Sequence, residues 1–384
     1  MPHSYSRTPI LILFEEKQLF KETYGGEIDR VALSAHWLKP DRPSDTVVVF
    51  MHPVGGQMYL PMINAFARAG THVIVSDSRY RADHALIMEK VVLDLAAVVR
   101  EARGRLGYRH VILGGWSGGG SLSLTFQAEA EAPTITATPA GDPPSLVDAG
   151  LVPADAVMLL AAHRARHLTL TEWMDPSIID EADPDRRDPA LDLYGPEAPT
   201  PPYDTDFLAR YRAAQVARNQ RITVWVKERL ARLRAAGRGG EEHAFTVHGT
   251  MADPRWLDPS IDPNGRKPNW CYLGDPRIVN NGPVGLARFT TLRSWLSQWS
   301  YDDARGDGLA AAARISVPVL LISNGADDAC TPDQAESLFA AIRHDDRELH
   351  VIDGANHYYF GQPDKVAEAV ALCQDWMRRH GFDA

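Results

Sequence analysis

The chain has 384 residues, 45% hydrophobic and 23% charged, an ordinary globular composition that buries one large core or two smaller ones without staples. Forty basic against fifty acidic residues leave a formal charge of -10, which argues against a general phosphate-binding surface and against nucleic acid as a partner. Cys271, Cys330 and Cys373 lie far apart and form no Cys-x-x-Cys pair, which fits a reducing compartment.

The apolar run at residues 9–14 is too short for a signal-peptide core with its flanks. No later run approaches the roughly 20 residues of a membrane span, so the expectation is a soluble, cytoplasmic protein with no membrane partner. Residues 18–37 alternate loosely around Tyr24-Gly25-Gly26 and predict an edge hairpin. Residues 46–51 form a continuous β-branched and aromatic run, the mark of a strand buried on both faces, and end in His52-Pro53-Val54-Gly55-Gly56. A helix over 60–69, a strand over 72–76 and a long amphipathic helix over 86–106 follow.

Residues 111–120 read Val-Ile-Leu-Gly-Gly-Trp-Ser-Gly-Gly-Gly, an apolar run that breaks into small residues before a helical pattern begins. This predicts a strand, a tight turn with Ser117 at its apex, and a helix. A serine on so sharp a turn requires Gly115 and Gly119 to be small where strand and helix nearly touch. The Gly118 N–H, at the helix start, can then point at a developing oxyanion. Alone the pentapeptide is weak evidence, since it arises by chance in on the order of one chain in ten of this length.

A sixth core strand is expected over 156–161. Strands alternating with helices imply a mostly parallel sheet covered on both faces, with chemistry at the carboxyl ends of the strands. The rhythm is then lost until about residue 308. This stretch holds seven Asp-Pro pairs, a long helical pattern over 206–236 and six of the nine tryptophans, and reads as an inserted subdomain or a lid with an aromatic underside. The rhythm returns with strands at 317–323 and 348–352 and helices at 332–342 and 364–379.

The last two strand ends carry Asn324-Gly325-Ala326-Asp327-Asp328-Ala329-Cys330-Thr331-Pro332 and Gly354-Ala355-Asn356-His357. A serine hydroxyl needs a histidine to take its proton, and that imidazole needs a carboxylate to hold its tautomer. The order Ser, acid, His, each just past a strand, is the order expected on one kind of sheet.

On these motifs the chain resembles an α/β-hydrolase fold protein of the serine hydrolase, esterase-like kind. The core would be residues 1–162 and 310–384, with a mainly helical cap at 163–309 after the sixth core strand. The resemblance implies Ser117 as nucleophile and His357 as base. The family register Gly-x-x-Asp-x-x-x-Pro fits Gly325, Asp328 and Pro332, which favours Asp328 as the acid and leaves Asp327 as a neighbour. The oxyanion amides would be Val54 and Gly118, with Gly55 as fallback, because Pro53 stands where the family often has glycine and has no N–H.

Trp116 and Gly55 are candidates for the substrate pocket. His163 and His167 have a spacing that suits two metal ligands but lack a third, and neither a metal nor a cofactor is expected. Cys330 reads as a small buried thiol, His52 as ordering its own loop, and residues 77–81 as a solvated loop or a substrate contact. The expected reaction is cleavage of an ester or related acyl bond of a small, fairly apolar molecule through an acyl-enzyme. Carbon–carbon hydrolysis and acyl transfer remain open, as does a non-catalytic binding role, and the oligomeric state is not readable. Aspartate-nucleophile relatives are disfavoured by the serine at position 117.

Overall fold

The computed structural model describes residues 3–16, 29–282 and 288–382. In chain order the first elements are β1 (Tyr5–Glu15), β2 (Arg30–Pro40), β3 (Thr46–Met51), α1 (Pro61–Arg68), β4 (Val73–Ser76) and α2 (Met88–Gly104). Next come β5 (His110–Ser117), α3 (Gly118–Glu131) and β6 (Ala156–Ala162). After an insertion come α8 (Gly308–Ala312), β9 (Val319–Asn324), α9 (Pro332–Ala341), β10 (Arg347–Ile352) and α10 (Pro363–Arg379).

These strands form one eight-stranded sheet in the order β1-β2-β4-β3-β5-β6-β9-β10. It is antiparallel at β1/β2 and β2/β4 and parallel elsewhere. The period of two explains how both faces are covered. Val47, Val49 and Met51 of β3 enter one core with α2, α3, α8 and α9, while Val48 and Phe50 enter the other with α1 and α10. The second strand of the expected edge hairpin is β2, and its antiparallel partner is β1. The apolar run at 9–14 is itself in β1, paired from Tyr5↔Pro40 to Glu15↔Arg30, with Ile12 buried and Leu11 and Leu13 exposed. The expected turn at Tyr24-Gly25-Gly26 lies outside the described residues.

Between β6 and α8 the chain forms α4 (Arg166–Trp173), α5 (Thr205–Ala235), β7 (Ala244–Thr246), α6 (Pro276–Val279), β8 (Phe289–Thr291), α7 (Leu292–Ser294) and a π turn at Trp295–Trp299. An isolated bridge between Ala165 and Asp307 closes the base of this segment. Its aromatic residues build small cores of their own. Trp295 and Trp299 pack with one face of α5, and Trp173 and Trp256 pack with Met251 and Cys271, whereas Trp225 and Trp270 are exposed. Helix α5 starts on Asp204, whose side chain accepts the Phe207 N–H, a cap that typically contributes about 1 kcal/mol. Among the described residues no helix is long and apolar enough to cross a membrane.

Candidate active site

Ser117 sits at the junction of β5 and α3 with φ 53 and ψ -125, a backbone position that L-residues rarely adopt. Close packing enforces the turn. A Cβ on Gly115 would come 2.7 Å from Gly120 Cα, and one on Gly119 would come 2.6 Å from the Met51 carbonyl oxygen. Gly115 thus keeps strand and helix together, as its spacing predicted, while Gly119 lets α3 approach the end of the neighbouring strand β3. The His163 N–H donates to the Ser117 carbonyl at 3.0 Å and ties the turn to the end of β6.

His357 reaches this serine from the turn after β10. Its Nε2 lies 3.2 Å from Ser117 Oγ, and its main-chain carbonyl accepts the Trp116 indole N–H at 3.3 Å. On the other side of the ring, His357 Nδ1 lies 2.9 Å from Asp327 Oδ2. The favoured register is therefore corrected: the carboxylate against His357 belongs to Asp327, not Asp328. Asp327 Oδ1 accepts the N–H groups of Ala329 and Cys330, both at 2.8 Å, so the loop folds around this carboxylate as its centre. Asp328 points elsewhere, into an outer cleft of about 570 Å³ lined also by Lys267, Trp270 and Tyr358. Burial and the Asp327 charge push its carboxyl up to about 7.

The acid loop is held from outside the core. Trp256 Nε1 donates to the Asp328 carbonyl at 2.6 Å, Asn264 Nδ2 donates to the Asp327 carbonyl at 2.7 Å, and the Gly265 N–H donates to the Gly325 carbonyl at 2.8 Å. All three belong to the insertion. Nothing in the sequence singled them out, because they satisfy main-chain carbonyls and such contacts leave no motif.

The loop after β3 is pinned to the loop after β4. Ser78 Oγ donates to the Pro53 carbonyl at 2.7 Å, the Gly55 N–H to the Tyr80 carbonyl at 3.0 Å, and the Gly56 N–H to Asp77 Oδ1 at 2.9 Å. Gly55 is thus committed as a donor, although it lines the cavity. His52 Nδ1 lies 2.9 Å from the Val54 carbonyl and 3.1 Å from the Val54 N–H, so the ring donates to the one when its proton is on Nδ1 and accepts from the other when its proton is on Nε2. That Nε2 abuts the nucleophile's neighbour, since a Cβ on Gly118 would come within 2.7 Å of it. Burial and the nearby Arg166 charge lower His52 to about 3, so the ring is neutral at physiological pH. As the first residue of α3, Gly118 has no carbonyl one turn back to take its N–H.

These groups open onto a cavity of about 440 Å³. One wall is aromatic, with Trp116, Trp173, Tyr272 and Tyr358, and another is charged, with Arg81, Asp83 and Arg166. Trp116 and Gly55 both line it. The stretch 77–81 divides by role: Arg79 is buried on Asp94 (2.8 Å), Asp77 holds Gly56, and only Arg81 of the charged residues reaches the cavity.

His163 and His167 do not act as a pair. His163 lines the cavity beside Gln334 and Cys330, and burial holds it well below the usual histidine range, while His167 is buried away from it. Cys330 is a buried thiol, as its sequence suggested. The ligand atoms of Asp327, Cys330 and His357 lie within 4.8 Å of one another, but the first and last are already engaged with each other.

No family model and no curated protein matches the chain in sequence. Solved structures match it over nearly their whole lengths. The α/β hydrolase GrgF from Penicillium sp. sh18 aligns with a TM-score of 0.51 at 11% identity, covering 98% of this chain and 99% of that one. DcsB, solved in complex with its substrate analogue, aligns with a TM-score of 0.50 at 13% identity over 96% of this chain and 99% of its own. The esterase domain of a Rhodothermus marinus protein covers 97% of this chain and 98% of that one, at 14% identity and a TM-score of 0.47. At such identities the likeness speaks to fold alone.

Proposed function

The chain has the α/β-hydrolase fold, and we propose that it works as a serine hydrolase that cleaves an ester or related acyl bond of a small molecule through an acyl-enzyme. The observation that carries this reading is the buried relay from Ser117 Oγ to His357 Nε2 (3.2 Å) and from His357 Nδ1 to Asp327 Oδ2 (2.9 Å), facing a cavity with room for a substrate.

In this mechanism His357 takes the Ser117 proton as the oxygen attacks the acyl carbonyl, and Asp327 stabilises the imidazolium. The new oxyanion is met by the Gly118 N–H and, with the His52 proton on Nε2, by His52 Nε2–H; with that proton on Nδ1 the ring donates to the Val54 carbonyl and the Val54 N–H is the second donor. The imidazolium then protonates the leaving group. Water attacks the acyl-enzyme with His357 again as base, and the acid leaves. No cofactor enters these steps. Residues 163–309 serve as the cap: they supply Trp173, Tyr272 and Arg166 to the cavity and brace the acid loop.

Labelling with a fluorophosphonate probe and turnover of p-nitrophenyl acetate test the assignment. The wild type is labelled on Ser117 and turns over, whereas Ser117→Ala does neither; a Ser117→Ala protein with the wild-type rate would falsify it. Product analysis separates an acid and an alcohol from the two carbon fragments of C–C hydrolysis or from the new ester of acyl transfer.

A further inference from the structure

We propose that Arg166 receives a carboxylate of the substrate, so that this site prefers an acidic acyl compound over a neutral one. The proposal rests on Ser117 being the nucleophile.

Arg166 opens α4, immediately after the strand that ends beside the nucleophile, and lines the same cavity as Ser117, His52 and His357. It is only 6% exposed. Its Nε donates to Gln298 Oε1 at 2.8 Å and its Nη2 to Asp83 Oδ2 at 3.2 Å. Among the described residues Nη1 has no hydrogen-bond partner. With Nε and Nη2 held, the third corner of the guanidinium keeps its N–H groups for an anion that enters the cavity. Burial pushes the Arg166 pKa down, and its charge in turn depresses His52 and His163 across the cavity.

The charge balance of the lining points the same way. Two arginines, Arg81 and Arg166, face one carboxylate, Asp83, while His52 and His163 are neutral. Asp83 makes a single contact to Arg166 at 3.2 Å, not a two-pronged one. Arg81 stands at the exposed rim, 3.8 Å from Asp77. Each arginine thus has one loosely held carboxylate beside it, Asp77 for Arg81 and Asp83 for Arg166, and a substrate carboxylate competes for the part of the guanidinium that these leave open. A carboxylate is the anion whose geometry suits the planar fork, and the rim arginine attracts it on approach. If Arg166 were only a strut between Asp83 and Gln298, its replacement would weaken every substrate alike.

The test compares kcat/KM for matched esters. Monomethyl glutarate carries its carboxylate on the acyl side and dimethyl glutarate is its neutral counterpart; 4-acetoxybutanoate carries it on the alcohol side, with butyl acetate as the neutral counterpart. The wild type is expected to favour one acidic ester at least about tenfold, and the favoured member shows which side of the scissile bond faces Arg166. Arg166→Gln is expected to collapse that acidic-to-neutral ratio about tenfold to a hundredfold, mainly through KM, and Arg166→Lys to restore part of it. Thermal melts and fluorophosphonate labelling of each variant establish that it is folded with a reactive serine. A wild type that labels on Ser117 yet prefers neutral esters, or an Arg166→Gln protein that keeps the ratio, overturns this proposal alone. A wild type that does not label overturns it together with the hydrolase reading.

Discussion

Asp327 Oδ2 lies 2.9 Å from His357 Nδ1, while the same carboxylate's other oxygen takes the N–H groups of Ala329 and Cys330. One side chain therefore both holds the His357 ring and centres the loop on which Asp327 itself sits. Asp328, the next residue, does neither.

The two aspartates are separable by mutation. Asp327→Asn is expected to lower kcat about 10⁴-fold, because the amide leaves His357 in the wrong tautomer. Asp328→Asn is expected to stay within about tenfold of wild type. Steady-state kinetics on one ester reads both, and the reverse ranking would return the role to Asp328.

Asp328 shows itself instead in the pH dependence of stability. Its carboxyl is raised from 3.8 to about 7, first by burial and then by Asp327, and Glu89, buried against Ser297, is raised to about 7 by burial. A raised carboxyl means that the folded state holds the proton more tightly than the unfolded chain. The associated stability is full below about pH 4 and is lost as pH rises through about 7. Urea midpoints of the wild type should thus carry a falling contribution across this window. Asp328→Asn and Glu89→Gln should each remove part of the slope; an unchanged slope in the double variant would refute the assignment.

The tautomer of His52 decides the second oxyanion donor, and the prediction is made for the proton on Nε2, in which His52 replaces the Val54 amide. His52→Ala should cost about 10²-fold in kcat while leaving Ser117 open to a fluorophosphonate. Because the ring is neutral above about pH 3, it should add no ionisation to the pH–rate profile between pH 5 and 9. A new limb in that range traced to His52 would contradict its neutral state.

The insertion's grip on the acid loop should appear in kcat rather than KM. Asn264→Ala removes the hydrogen bond to the Asp327 carbonyl without touching the cavity lining. A fall of about three- to tenfold in kcat, with KM nearly unchanged, is expected if the loop loses its set. A change confined to KM would mean that Asn264 acts on substrate binding.

Gly119 tests the packing of the turn. Gly119→Ala would drive its Cβ against the Met51 carbonyl, a main-chain atom at the end of a buried strand that cannot swing aside. A loss of about 1–3 kcal/mol is expected, read as a lower urea midpoint. A protein with unchanged stability would show that α3 can move away from β3 at little cost.

The sequence by itself determined the parts of this protein that repeat a period or obey a steric limit. The run Thr46–Met51 is a strand buried on both faces because each side of it is apolar, and Gly-Gly-Trp-Ser-Gly-Gly announces a turn too tight for side chains. Periodicity located the strand ends that carry Ser117 and His357, and the family resemblance, not the period, suggested their roles. Tertiary structure alone decided what depends on a side chain's direction. Asp327 and Asp328 are neighbours of identical chemistry, and only the loop's fold sends one towards His357 and the other into the outer cleft. The amides of Val54 and Gly55 both read as possible donors, yet the Tyr80 carbonyl claims that of Gly55 and the His52 tautomer decides that of Val54. Arg166 carries no motif in the sequence, and lies buried beside Ser117 because the insertion folds back over the sheet and offers it Gln298.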